Sequence, residues 1–342
     1  MSIPHIENNS MLNEFEELTA DTSLVDLNNM IAKSQLITKA RFGKNIQLYA
    51  PLYLSNECQN ICTYCGFSFD NKLKRKTLSD EEIIAEAKVL KSHGFDSILL
   101  VTGEDYRVNT DYILHAINLL KPYFAQISIE VQPLETAEYI RLKDAGVYGV
   151  FMYQETYDKA TYKIVHPKGK KANFDYRIHT PNRIGEAGIH KIGLGVLLGL
   201  TTDWRADVLA LAQHLAELQK TYWQTKFSVS FPRIRPHEGE FQPKCHLSEK
   251  ELLQLIVAFR ICFPDVELTL STRERAVFRD IAMQYGITAM SAGSKTEPGG
   301  YSNSEALKQF EIDDERSAEE MALVIKNLGY EPVWKDWDFV LV

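Results

Sequence analysis

Residues 46–53 read Ile-Gln-Leu-Tyr-Ala-Pro-Leu-Tyr, residues 58–65 read Cys-Gln-Asn-Ile-Cys-Thr-Tyr-Cys, and residues 79–86 read Ser-Asp-Glu-Glu-Ile-Ile-Ala-Glu. The first stretch has the aliphatic and aromatic character of a strand. The third opens a helix, with Ser79 and Glu82 spaced as a capping box. Between them lie three thiols with the spacing C-x3-C-x2-C. Three cysteines fall short of a structural zinc site, which takes four protein ligands. They suit an iron–sulfur cluster held by thiolates, with one iron left open to a small molecule. A thiol loop between strand and helix sits at the strand's C-terminal end, where α/β folds place their chemistry.

The same alternation continues outward. Strands are predicted at 47–54, 97–102, 127–132, 149–154, 192–198, 227–231, 267–271 and 287–291. Helices are predicted at 79–92, 111–123, 136–145, 175–187, 204–222, 248–263, 276–285 and 317–328. Gly94, Gly146 and Gly188 each stand just past a helix end, as C-terminal caps do. Eight strand–helix pairs describe an α/β protein of the (β/α)8 TIM-barrel type. Three parts are expected. A short helical N-terminal extension covers 1–40, the barrel core 41–292, and a C-terminal loop, helix and tail completing the barrel 293–342. The extension repeats Leu12, Phe15, Leu18 and Leu24, Leu27, Ile31 at near-helical spacing and is expected to form a lid or docking surface. There is no internal repeat, and 295–301 reads as a turn-rich loop.

Composition narrows the classes. The net charge is −8 and no block of five basic residues occurs, which argues against nucleic acid as a partner. The basic run at 72–76 reads as a solvated loop face, with a phosphate or nucleic-acid site as the alternative. The N-terminus is acidic, without the apolar run of a signal or the basic character of a transit peptide. The longest apolar run, 192–200, is broken by glycines and too short to span a bilayer. A cytoplasmic protein is expected. Five cysteines, three of them bunched, fit a reducing compartment, with Cys245 and Cys262 as free thiols, one in a loop and one on a helix. The nine histidines show no metal-ligand spacing and read as structural.

The cysteine motif with Tyr64 just before its last member resembles the signature of the radical S-adenosylmethionine (SAM) enzymes. With 51–76, Val101–Glu104, Tyr153–Tyr157, Ser230–Arg233, Leu270–Glu274 and Trp334–Asp338, the likeness narrows to the 2-iminoacetate synthases, the tyrosine lyases of thiamine biosynthesis. It runs from about residue 41 to the C-terminus. The resemblance implies that Cys58, Cys62 and Cys65 hold a [4Fe–4S] cluster. It implies that SAM is cleaved to 5′-deoxyadenosine and methionine, and that L-tyrosine is cleaved at Cα–Cβ to 2-iminoacetate and p-cresol. It implies cofactor contacts from Tyr64, Gly103, Glu104, Glu155 and Arg177, and a substrate carboxylate clamp at Ser271 and Arg273. An external electron donor and a thiazole synthase partner follow from the same likeness.

Plainer readings stand beside these. Gly103-Glu104 is also an ordinary turn, and its segment departs from the family's Gly-Gly-Glu pattern at Thr102. Arg177 also reads as a surface arginine. Gly193, Gly195 and Gly199 suit either close approach of adenine or tight helix packing. Arg233 and Arg235 suit either an anion site or loop–loop salt bridges. A related lyase for tryptophan or for hydrogenase maturation is the alternative enzyme. The hydrogenase type needs a second C-terminal cluster, and no cysteine follows Cys262. A non-catalytic metal-binding protein would need a fourth ligand.

Overall fold

The computed structural model describes residues 5–237, 241–302 and 308–335, with side chains from Ser10 onward. The strands are β1 Asn45–Ser55, β2 Ser97–Thr102, β3 Gln126–Glu130, β4 Val147–Phe151, β5 Lys191–Gly195, β6 Lys226–Ser230, β7 Glu267–Leu270, β8 Ala289–Ser291 and β9 Glu331–Val333. β1 to β8 form a closed parallel barrel: neighbours pair in chain order, and β1 pairs with β8 on one side and β2 on the other. β9 adds alongside the first residues of β1 (Asn45↔Glu331) and was not foreseen from the sequence.

Two helices precede the barrel, α1 His5–Thr19 and α2 Leu24–Phe42. Around it run α3 Asp80–Ser92, α4 Thr110–Leu120, α5 Thr136–Asp144, α6 Lys159–Val165, α7 Phe174–Ile178, α8 Thr180–Glu186, α9 Trp204–Thr221, α10 Glu249–Cys262, α11 Ala276–Ala282 and α12 Ala318–Asn327. Capping boxes at Ser79/Glu82, Ser248/Glu251 and Ser317/Glu320 start three of them. The helix expected over 175–187 is two, α7 and α8, because Pro181 in the first turn of α8 has no N–H to donate back.

The strand period of two sorts the barrel into two environments. Leu48, Ala50 and Leu52 of β1 join the apolar layer beneath the helices, while Tyr49, Pro51 and Tyr53 face inward. In β3, Ile127 and Ile129 point out, so Gln126, Ser128 and Glu130 take the interior side. The floor of the interior is polar but paired. Gln47 donates to Gln126 at 3.1 Å, and Lys191 meets Glu267 at 2.7 Å.

The N-terminal extension is no lid. α1 and α2 lie on the outside of α9 and α10, with Phe15 edge-on to Phe259 and Gln254 donating to the carbonyls of Leu18 and Ala20. None of its described residues lines the cavity at the mouth. Residues 336–338 of the Trp334–Asp338 block lie outside the described residues. No described helix is long and apolar enough to cross a membrane.

Candidate active site

Past β1 the chain leaves the barrel as a loop carrying Cys58, Cys62 and Cys65, all free thiols that line one cavity at the C-terminal mouth. Arg75 ties this loop down. Its guanidinium donates to the carbonyls of Asn56 (2.6 Å), Phe67 (2.8 Å) and Ser68 (2.7 Å). The basic run at 72–76 is therefore not wholly a solvated face: Lys72 and Lys74 are exposed, while Arg75 braces the thiol loop.

Burial pushes the Cys58 thiol up to about 11 and raises Cys62 and Cys65 as well, so a thiolate here requires a nearby positive charge, as a bound metal centre would supply. Donors are already aimed at the sulfurs. Backbone N–H groups of Asn60 and Glu104 reach Cys58, that of Phe67 reaches Cys65, and Gln309 Nε2 lies 3.8 Å from Cys65 Sγ. Among the described residues no three His, Cys, Asp or Glu side chains close around a single ion. The donor set is three thiols on one loop, one short of the four protein ligands of a structural zinc site, and it fits a cluster that leaves one iron open.

One wall of the cavity is an ion network. Arg177 is buried, which removes its surface reading. It donates to Glu104 at 3.0 Å and to the Tyr153 carbonyl at 2.8 Å. Lys171 meets Glu155 at 2.7 Å, and its ammonium stands 5.7 Å from the centre of the Tyr64 ring. Burial works to raise the Glu155 carboxyl, but Lys171 and Arg177 overcome it and hold the carboxyl below its usual value. Glu155 is the one non-glycine at positive φ (71°) among the described residues, a conformation that costs roughly 1–3 kcal/mol and clusters at functional sites. Asn60 donates to Glu104 at 2.8 Å, joining the network to the thiol loop. Gly103 permits that junction, since a Cβ there would lie 2.1 Å from the Glu57 carbonyl. Thr102 Oγ1 and Gln154 Nε2 are buried beside it without a hydrogen-bond partner among the described residues.

Across the barrel, the chain after β7 brings Ser271 and Arg273 to the same cavity. The Arg273 guanidinium lies 3.4 Å from the centre of the Phe310 ring, and burial lowers its pKa. It has no ion pair among the described residues. Arg233 and Arg235 differ from it: Arg233 is bound to the buried Glu274, and Arg235 to Asp313. Salt bridging between loops is what they do. The glycines of β5 also find their reason. A Cβ at Gly193 would strike the Phe151 ring at 2.1 Å, and one at Gly195 the Tyr153 ring at 2.6 Å, so aromatic rings and not a helix leave both positions without room for a side chain.

Sequence reasoning missed several residues at this site. Lys171 and His166 arrive on an unforeseen helix and turn between 159 and 172. His166 remains structural: its Nε2 lies 2.7 Å from the Tyr64 hydroxyl and its Nδ1 3.0 Å from the Tyr162 carbonyl, and burial drops its pKa to about 2. Gln309, which accepts from Tyr53 at 2.7 Å, and Phe310 come from the C-terminal segment. Glu130 ends β3 in the cavity, with burial first and Glu155 second raising its carboxyl to about 7. Its signal was the alternation Gln126-Ile-Ser-Ile-Glu130, which puts it on the interior face.

Comparison with known proteins adds the lineage. Residues 52–212 match the radical SAM superfamily, and residues 230–331 match the biotin and thiamin synthesis associated domain. The chain is 48% identical over 317 residues to the 2-iminoacetate synthase of Escherichia coli (strain K12), covering 92% of this chain and 84% of that protein. It is 47% identical to the 2-iminoacetate synthase of Salmonella typhimurium, covering 90% and 82%. The solved structure of the FeFe-hydrogenase maturase HydG from Carboxydothermus hydrogenoformans is similar with a TM-score of 0.88 at 31% identity, covering 98% of this chain and 81% of that one.

Proposed function

The chain belongs to the 2-iminoacetate synthases, carbon–carbon lyases of the radical SAM superfamily, and on that premise we propose that it cleaves L-tyrosine at Cα–Cβ to 2-iminoacetate and p-cresol, for the thiazole of thiamine. In this reading Cys58, Cys62 and Cys65 would hold a [4Fe–4S] cluster, with one iron left open to SAM. Tyr64, Gly103, Glu104, Glu155 and Arg177 surround SAM. When bound, cluster and SAM supply a one-electron cleavage whose product takes a hydrogen atom from the substrate and ends as 5′-deoxyadenosine and methionine.

The protein's own work is placement. Arg273 and Ser271 receive the tyrosine carboxylate, because a guanidinium fork matches a carboxylate in two parallel hydrogen bonds. Tyr49, Tyr53, Phe67, Leu99 and Val101 line the interior and keep water from the reacting atoms. No acid, base or nucleophile is needed to break the carbon–carbon bond once a radical sits on the adjacent nitrogen. The observation that supports this reading is that three thiols and an arginine lacking an ion pair among the described residues line one cavity at the mouth of the barrel.

An external donor supplies the electron, and the unstable imine passes to a thiazole synthase partner in the cytoplasm. The test is anaerobic incubation of reconstituted protein with SAM, reductant and each aromatic amino acid. p-Cresol and 5′-deoxyadenosine from tyrosine are expected. Cleavage of tryptophan in place of tyrosine would move the chain to the tryptophan lyases.

A further inference from the structure

Among the described residues, the cavity wall carries seven ionisable acid and base side chains besides thiols and phenols: Glu104, Glu130, Glu155, Lys171, Arg177, Arg235 and Arg273. Five are committed. Glu104 is paired with Arg177, Glu155 with Lys171, and Arg235 with Asp313 outside the cavity. The two that remain, Glu130 and Arg273, have neither an ion pair nor a side-chain hydrogen bond among the described residues. They come from β3 and from the end of β7, strands on opposite sides of an eight-stranded barrel. Neither has an atom sealed in the protein interior without a partner, so both present their polar atoms to the cavity. One free acid facing one free base is the complement of an amino-acid zwitterion.

We infer that Glu130 receives the α-ammonium group of the substrate and takes one of its protons, so that the nitrogen is a neutral amine when it loses a hydrogen atom. The inference rests on the tyrosine-lyase reading above, in which Arg273 holds the other end of the zwitterion. The step balances by itself: an N–H bond of the ammonium breaks heterolytically, an O–H bond forms on the Glu130 carboxylate, and no electron is exchanged. It has a chemical reason. Removing a hydrogen atom from an ammonium leaves a positive charge on the nitrogen radical, whereas an amine leaves a neutral radical that collapses to the imine. A base works best with its pKa near the operating pH. Burial and the nearby Glu155 hold Glu130 at about 7, against the opposing pull of Arg273, Lys171 and Arg177. The phenols of Tyr49, Tyr53 and Tyr153 also face it, each pushed above its ordinary value by burial and thus neutral.

Glu130→Gln and Glu130→Asp test this as reconstituted holoenzymes with SAM and reductant. p-Cresol and 5′-deoxyadenosine are followed against tyrosine concentration from pH 6 to 9.5, with iron content and optical spectrum as the folding control. Wild-type kcat for p-cresol is expected to rise through about pH 7, where Glu130 loses its proton. Glu130→Gln should keep its iron and lose about a hundredfold in kcat near pH 7.5. It should recover as the pH approaches the range where free tyrosine carries a neutral amine. Glu130→Asp, which keeps the acid one methylene back, should lose about tenfold and retain the limb near 7. Wild-type kcat and pH profile in Glu130→Gln would overturn the inference, as would a loss confined to KM. Absence of p-cresol from wild type with tyrosine would instead bring down the functional reading, and this inference with it.

Discussion

The two ends of the barrel interior use charge in opposite ways. At the floor, Lys191 and Glu267 meet at 2.7 Å beneath the Tyr148 ring, and Gln47 meets Gln126, so every one of these polar groups has its partner in the protein. At the mouth, two ion pairs are closed in the same manner, but Glu130 and Arg273 are left open, and the backbone at Glu155 is held at positive φ. Two arginines six residues apart make the same contrast. Arg279 is fully buried against Asp314 and the Ser291 carbonyl, while Arg273 faces the cavity with only an aromatic ring beneath it. Closed pairs hold a fold together, and an open charge held in place by packing is a site waiting for its counter-ion.

The contrast breaks most completely at the thiols. Replacing any one of Cys58, Cys62 or Cys65 with Ala should abolish cluster assembly and all SAM cleavage, read as iron content and visible absorbance after anaerobic reconstitution. Cys245→Ala and Cys262→Ala should leave both intact, because neither thiol reaches the mouth cavity. Zinc retained without iron in the wild type would remove the cluster from the mouth altogether.

At the floor the expected loss is stability. Lys191→Met strands Glu267 without its cation, and breaking a buried pair costs roughly 3–5 kcal/mol. Denaturant unfolding should show that loss, with activity per folded molecule unchanged. Lys191→Met combined with Glu267→Leu should recover much of it, since an apolar pair of similar volume replaces an ion pair at little cost. A loss of activity without a loss of stability would mean that the floor is also a functional region.

Much of this division was legible in the residues. The eight strands, their C-terminal mouth, the thiol loop and Arg273 all carry local signals: strand alternation, a capping box, C-x3-C-x2-C, and a charged residue at a strand end. Glu130 was legible in principle from Gln126-Ile-Ser-Ile-Glu130, but it was not singled out because alternation marks a face without saying what that face meets. Lys171, Gln309 and Phe310 could not be read at all. Their places depend on where an irregular segment after β4 and the C-terminal segment fold back over the mouth, which is set by long-range packing. Arg177 and Arg233 show the same limit from the other side. Each is an arginine on a loop or short helix, and only the structure shows which carboxylate it finds.

Arg273→Lys sharpens the contrast at the mouth. The charge stays and the fork is lost, so a contact of about 1.5–3 kcal/mol to the substrate carboxylate weakens by as much as a hundredfold. The cluster should survive, and p-cresol formation and its coupling to 5′-deoxyadenosine should fall. Full coupling in Arg273→Ala at modest tyrosine concentration would show that another residue holds the carboxylate.

The smallest effect is expected at His166, which lies between the two behaviours: buried at the mouth, yet fully paired. Its tautomer follows from its neighbours, with Nδ1–H donating to the Tyr162 carbonyl and Nε2 accepting from the Tyr64 hydroxyl. Burial is the main reason its pKa falls to about 2, and the positive charges of Lys171 and Arg177 push the same way. In the unfolded chain a histidine titrates near 6.5, so below that pH the unfolded state binds a proton that the folded state refuses. The neutral ring is thus fully compatible with folding above pH 6.5, and stability is lost as the pH falls below it, at about 1.4 kcal/mol per unit. Between pH 7.5 and 5.5 the wild type should lose about 1.4 kcal/mol that His166→Gln does not lose. At pH 7.5 the variant should itself be weaker by about 1 kcal/mol for the hydrogen bonds it gives up. Urea unfolding of both proteins at the two pH values reads the difference. Parallel losses in the two would mean that His166 is protonated in the folded protein, and that the mouth holds a third open charge instead of a closed support for Tyr64.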